Sequence, residues 1–387
     1  MRFGSAIVVL GIALSLVCEA QLQQQSSIYF SVPPADAPEL AHRGTYSVGV
    51  RTVELLHPNQ VDILHFDSQT GKAPLYNRAL KVEVWYPATI PPGKEESTTY
   101  ISAMPGRSEE GASGRTFEIK GKALRNAPPL HGSRFPLVLV SHGYPGSRTF
   151  LTYLTENLAS KGYVVAAIDH TDSVFGEVRG FQSTLLNRSN DQLFTMEALE
   201  KLSTDPNHFL QGLVDATNIA IIGYSMGGYG ALTSAGAGYS KGSALMKFVP
   251  GNYLDEWAAD NPKFQSLDRK AVKAIVAIAP WGEQPPYLAW DAGGLAAIHV
   301  PSLLSLATTM MWRTTPAESN AFSSGPSTLN GICWCTRMLA ITRAGTHRLP
   351  VCRSITEPFN PLTSRCGGKT VLRRSTSTSL QHSWTYI

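Results

Sequence analysis

The run Gly223-Tyr224-Ser225-Met226-Gly227-Gly228 could do nucleophilic chemistry. Asn218-Ile219-Ala220-Ile221-Ile222 before it reads as a short buried strand, and Tyr229 to Ala235 after it as the start of a helix packed through small residues. A serine on a sharp strand-to-helix turn, with a glycine two positions away on each side, is a nucleophile elbow. Such a turn strains the serine backbone, and a side chain at Gly223 or Gly227 would meet neighbouring backbone. The helix that follows points free N–H groups to where negative charge develops. Attack on an acyl carbon also needs a base, an acid that orients it, and donors for the oxyanion. Ser225 is the candidate nucleophile, and the Met226 N–H is one candidate donor. The second donor should come from the turn His142-Gly143-Tyr144-Pro145-Gly146, where we assign it to the Tyr144 N–H. Each such donor is worth about 3 kcal/mol in the transition state. His142 reads as orienting this turn rather than as the base. Tyr144, Tyr224 and Trp281 are candidates for the walls of a substrate pocket.

The acid and base are harder to find. In a chain of this design they follow the serine, acid first and histidine last. No aspartate follows Asp291, and beyond residue 305 only Glu318 and Glu357, with His347 and His382, remain. His347, in Gly345-Thr346-His347, is the best base there and Glu318 a weak acid. Asp255, Asp260, Asp268 and Asp291 lie in polar or loop segments, and Asp169 ends an upstream strand and reads as structural.

The elements that must position these groups alternate. Tyr46–Val50 and Leu80–Tyr86 read as antiparallel edge strands, and 91–133, rich in Gly, Pro, Ser and charge, as a long loop or insertion. Pro136–Ser141, Tyr163–Asp169, Val272–Ala279 and a run from Val300 read as buried strands. Helical spacing covers Arg148–Lys161, stopped by Gly162, and Asp191–Ser203. Continuous apolar strands alternating with helices predict an α/β fold, a mostly parallel central sheet flanked by helices on both faces.

With 387 residues, 43% hydrophobic and 16% charged, the chain can bury a large core. Its formal net charge of +4 and the lack of a basic block interleaved with aromatics argue against a nucleic-acid partner. Residues 1–20 read as a cleaved secretory signal: Met1-Arg2 is positive, Ala6–Val17 apolar but too short to span a bilayer, and Cys18-Glu19-Ala20 offers a cleavage site. Lipid attachment at Cys18 is the other reading, disfavoured by Val17. The expectation is a secreted protein with no membrane segment once the signal is removed. Residues 21–43 read as an extended arm, 44–304 as the catalytic domain and 305–387 as an anomalous tail. Asn187-Arg188-Ser189 matches the glycosylation triplet. No metal or organic cofactor is implied, since no His/Cys cluster has zinc spacing and Cys333-x-Cys335 is too tight.

Three segments carry a resemblance: 135–148 (Phe135 through His142-Gly143 to Arg148), 158–170 (Leu158 to His170) and the elbow. They resemble secreted α/β-hydrolases of the dienelactone-hydrolase and platelet-activating-factor-acetylhydrolase type, and bacterial cutinases and polyester hydrolases, over about 44–304. Ala279-Pro280-Trp281 is similar to the tryptophan turn that flanks their substrates. The resemblance implies the α/β-hydrolase fold and a serine carboxylic ester hydrolase acting on a small-molecule, lipid or polymeric ester. It also implies an aspartate after the strand that begins at Val300, in a Gly-Asp-x-Asp-like run, and a histidine 30 to 45 residues later.

This chain departs there. Leu304 to Trp312 holds no acid. Met310-Met311-Trp312 fixes the codons ATG ATG TGG, which one base earlier permit Asp-Val, and residues 307–309 permit Gly and then Asp or His. Residues 305–387 contain no Asp, one Lys, eight Arg and four Cys. We therefore expect a frameshift near Ser305, with a genuine divergent, disulfide-stapled tail as the other reading. The corresponding functional alternatives are an inactive protein of this fold and an acyltransferase with the same elbow.

Overall fold

The computed structural model describes residues 41–103, 115–307 and 336–341, with only the backbone of 306–307 and 336–341. Most of the chain's strands join one nine-stranded sheet. Five strands run parallel: β6 (Phe135–Ser141), β7 (Val164–Asp169), β10 (Val214–Tyr224), β11 (Val272–Ile278) and β12 (Ser302–Ala307). β2 (Leu75–Pro87) pairs antiparallel with β7, β1 (Val48–Val61) antiparallel with β2, and β5 (Leu124–Arg125) parallel with β1. β13 (Thr336–Ile341) closes the other edge antiparallel to β12. The spatial order is β13-β12-β11-β10-β6-β7-β2-β1-β5, so β10 and β6 lie near the centre.

The alternation of side chains along each strand builds two cores. Leu137, Leu139, Ile219 and Ile221 face one, with helices α2 (Phe181–Thr204) and α3 (Met226–Ser234) packed over it. Val138, Val140, Ala220 and Ile222 face the other, where α1 (Thr152–Ser160) packs through Leu158 and Ala159. A mostly parallel sheet with helices on both faces is the α/β-hydrolase arrangement expected.

Three expectations need correction. The stretch 91–133 is not all loop: it holds a hairpin, β3 (Thr98–Ala103) with β4 (Thr116–Gly121), as well as β5. Its inward residues are few. Tyr100 is the main anchor, accepting from Trp85 Nε1 at 2.7 Å and donating to Glu156 Oε1 at 2.8 Å. The helix read from Asp191 starts ten residues earlier, because its first half buries polar side chains that break the apolar period. The glycosylation triplet lies inside that helix. Asn187 is 1% exposed and donates to Ser183 Oγ, so its amide is sealed from any transferase. A small ribbon, β8 (Ser173–Val174) with β9 (Glu177–Val178), leads into α2. The signal at 1–20, most of the arm at 21–43 and nearly all of the tail, including His347, lie outside the described residues.

Candidate active site

Ser225 stands between the last residue of β10 and the first of α3, with φ 52° and ψ −114°, a backbone region costly for any residue with a Cβ. The surroundings hold it there. Its N–H donates to the Ile278 carbonyl at 2.9 Å, and its own carbonyl accepts from Tyr229 N–H at 3.0 Å and Trp281 N–H at 3.1 Å. The flanking glycines are required by close backbone approach. A Cβ on Gly223 would lie 2.1 Å from the Gly227 carbonyl oxygen, and one on Gly227 only 2.0 Å from that of Ser141. The serine is half-buried rather than sealed.

The His142-Gly143-Tyr144 turn after β6 lies beside it. A Cβ on Gly143 would come within 3.3 Å of the Ser225 Cβ and 3.2 Å of Tyr224 Cδ1. Met226 opens α3, so its N–H has no acceptor within the helix. The turn after β6 therefore lies against the elbow, with Met226 following Ser225 in the chain.

Aromatic walls rise on two sides. Tyr144 meets Phe181 edge-on at 4.9 Å, Phe181 meets Trp281 at 5.2 Å, and Trp281 meets Tyr287 at 4.9 Å. On the other side Tyr224 stacks on Phe150 at 5.7 Å. Tyr224 also borders an apolar cleft of about 620 Å³ at the carboxyl ends of β10, β11 and β12, with Phe117, Phe150, Tyr153 and Ile278 among its walls.

The histidines near the turn are not free. His142 is buried; its Nε2 accepts from the His170 N–H at 3.2 Å, so its Nδ1 carries the proton and donates to the Gly143 carbonyl at 2.7 Å. Burial, then the Arg188 charge, keep His142 well below the usual histidine range. Among the described residues no histidine is hydrogen-bonded to the Ser225 hydroxyl. The earlier acids are also occupied. Asp169 holds Arg148, Asp260 pairs with Lys241 at 2.8 Å, Asp291 caps a short helix through Gly294 N–H, and Asp268 accepts from Lys270 N–H. Asp255 sits in a 3-10 turn. Among the described residues no three His, Cys, Asp or Glu side chains gather to hold a metal ion.

Sequence reading missed a buried array behind the turn. Ser141 Oγ donates to His170 Nε2 at 2.7 Å, and His170 Nδ1 donates to Asp191 Oδ2 at 2.9 Å. This has the connectivity of a catalytic triad, but the three residues are at most 1% exposed and Ser141 lies within a strand. No ester can reach it. Asp191 in turn takes two bonds from Arg78, which also reaches Asp172 at 2.9 Å. The only signal in the sequence was the cluster of polar residues in the first half of α2.

Burial, then Arg188, push the His170 ring down to about 3. An unfolded histidine titrates near 6.5. Each of these two rings therefore contributes stability that is complete above about pH 6.5 and is lost as pH falls toward its folded value, by up to about 1.4 kcal/mol per pH unit. Ring 15N shifts should show both histidines neutral in the folded protein at pH 5, and the unfolding free energy should be lower at pH 5 than at pH 7. A protonated His170 ring in the folded state at pH 5 would contradict this.

The family model described as platelet-activating factor acetylhydrolase, isoform II, matches residues 112–201, ending in α2. Cutinase est1 of Thermobifida alba is 30% identical over 108 residues, covering 28% of this chain and 32% of that protein. Platelet-activating factor acetylhydrolase of Cavia porcellus is 23% identical over 176 residues, covering 36% of this chain and 39% of that protein. A solved ferulic acid esterase from Streptomyces cinnamoneus is 25% identical, with coverage of 65% of this chain and 62% of that one, at a TM-score of 0.38. The chain spans about a third of the length of the cutinases it matches. Its fold is the α/β-hydrolase arrangement, and parts of its sequence are similar to cutinases and platelet-activating factor acetylhydrolases.

Proposed function

We propose that the chain is a secreted serine hydrolase of carboxylic esters. The observation that carries this is Ser225, partly exposed on a positive-φ elbow, with Gly143 so close that an added Cβ there would stand 3.3 Å from the Ser225 Cβ. Ser225 Oγ attacks the acyl carbon and gives its proton to a base. The carbonyl oxygen becomes an oxyanion held by the N–H groups of Tyr144 and Met226. Collapse expels the alcohol, which takes that proton, and water then releases the acid by the same route. With the tail as a genuine divergent end the base is His347; with a frameshift near Ser305 it is not. Tyr224 and Trp281 flank the bound ester. The signal-like sequence read at 1–20 supports the secreted location, and among the described residues no helix is long and apolar enough to cross a membrane.

A second reading is an inactive protein of this fold, in line with the absence of any described histidine bonded to Ser225. An alkyl fluorophosphonate separates the two, because it modifies only an activated serine. We expect a single adduct on Ser225 by peptide mass spectrometry, with hydrolysis of short p-nitrophenyl esters. An unmodified Ser225 in folded protein refutes the hydrolase reading and selects the second one.

A further inference from the structure

Arg188 is placed where few arginines are found. It lies in α2, 1% exposed, and no carboxylate is hydrogen-bonded to it. The carboxylates nearby are engaged elsewhere: Asp191 by Arg78 and His170, Asp172 by Arg78 and Ser183. The Arg188 guanidinium instead donates to the His142 carbonyl at 2.7 Å, to Ser173 Oγ at 2.8 Å and, at a longer 3.5 Å, to the Gly143 carbonyl. Its Nε has no partner. A buried cation normally takes a carboxylate. This one is spent on the backbone of the turn beside Ser225.

The peptide plane makes the consequence definite. The Gly143 carbonyl and the Tyr144 N–H belong to one trans peptide, so fixing the carbonyl on one side fixes the N–H direction on the other. The Gly143 carbonyl receives the His142 Nδ1 proton at 2.7 Å as well as the Arg188 contact. Two donors on one carbonyl, one of them charged, draw electron density from the amide and make its N–H a stronger donor.

We infer that Arg188 is a positioning residue for oxyanion stabilisation: from behind the turn it orients and polarises the Gly143–Tyr144 peptide. This rests on the proposed hydrolase reading for its catalytic consequence, but not for the hydrogen-bond arrangement itself. The chain elements involved are far apart in sequence, so α2 supplies to the turn after β6 a charge that the turn does not contain.

The test uses the full chain with Arg188→Met and Arg188→Lys, p-nitrophenyl butyrate as substrate, and 15N-tyrosine labelling. In Arg188→Met we expect kcat to fall about a hundredfold, the range for loss of one oxyanion donor, with KM within about threefold. Arg188→Lys, whose ammonium can meet one carbonyl but not both, should lose about tenfold. The Tyr144 amide proton should move upfield in both, more than the other tyrosine amides. An unchanged kcat with an unmoved Tyr144 amide, or a loss carried by KM alone, overturns the inference. Should Arg188→Met fail to fold, Arg188→Lys decides by the same two readouts. If the wild-type chain neither turns over ester nor takes up fluorophosphonate, the hydrolase reading fails and the Tyr144 shift alone decides whether the arrangement exists.

Discussion

Replacing Ser225 by glycine should abolish ester hydrolysis and make the protein more stable. The two effects have separate causes. Removal of the hydroxyl removes the acyl-enzyme, and loss of a serine nucleophile costs on the order of 10⁶ in kcat in a comparable triad enzyme. Removal of the Cβ relieves the backbone at φ 52°, ψ −114°. Residues in such regions store about 1–3 kcal/mol, against which the extra unfolded-state freedom of glycine costs roughly 0.5–1 kcal/mol. The net gain should be about 1 kcal/mol. Ser225→Ala is the control: it should lose activity equally and gain no stability, since alanine keeps the Cβ. Urea unfolding of the three proteins measures this. A glycine variant no more stable than the alanine variant would mean that the elbow stores no strain.

Gly227→Ala should be one of the most damaging single methyls among the described residues. Its Cβ would stand 2.0 Å from the Ser141 carbonyl oxygen and 3.0 Å from that of His142, both backbone atoms of β6 and its following turn. Neither can move without parting α3 from the sheet. Overpacking costs 1–3 kcal/mol where side chains yield; against rigid backbone we expect at least about 3 kcal/mol. Any folded fraction would have its turn displaced from Ser225, so activity should fall by more than about a hundredfold. Gly242→Ala, where the nearest atom is 3.9 Å from the added Cβ, should be close to neutral. Thermal melts and ester assays on the pair give the comparison, and a Gly227→Ala protein with normal stability would refute the packing account.

The elbow was legible because its physics is local. Gly223 and Gly227 are demanded by atoms within a few residues or on the neighbouring strand, and the apolar runs of β6, β7, β10 and β11 announce burial on both faces. The first half of α2 was not legible, because Ser183, Thr184, Asn187, Arg188, Asp191 and Gln192 are all buried there. A helix that turns a polar face to the interior has no hydrophobic period to detect. The partners that satisfy that face are distant: Arg78 lies 113 residues from Asp191, and His142 lies 46 from Arg188. Likewise, the hairpin of β3 and β4 was hidden because, among its described residues, Tyr100 and Ile119 are the buried apolar ones within a polar stretch.

Among the described residues, the cleft beside Tyr224 is walled by aliphatic and aromatic groups with a few hydroxyls, among them Ser102, Ser147 and Thr149, and by no ionisable acid or base apart from tyrosine. A guest carrying a formal charge would shed its hydration there and find no counter-ion, a penalty of several kcal/mol. Among the described residues there is no ion pair in that chamber for dissolved salt to weaken. Selection among guests would thus be governed by shape and by how reluctantly each leaves water, with electrostatic attraction contributing little.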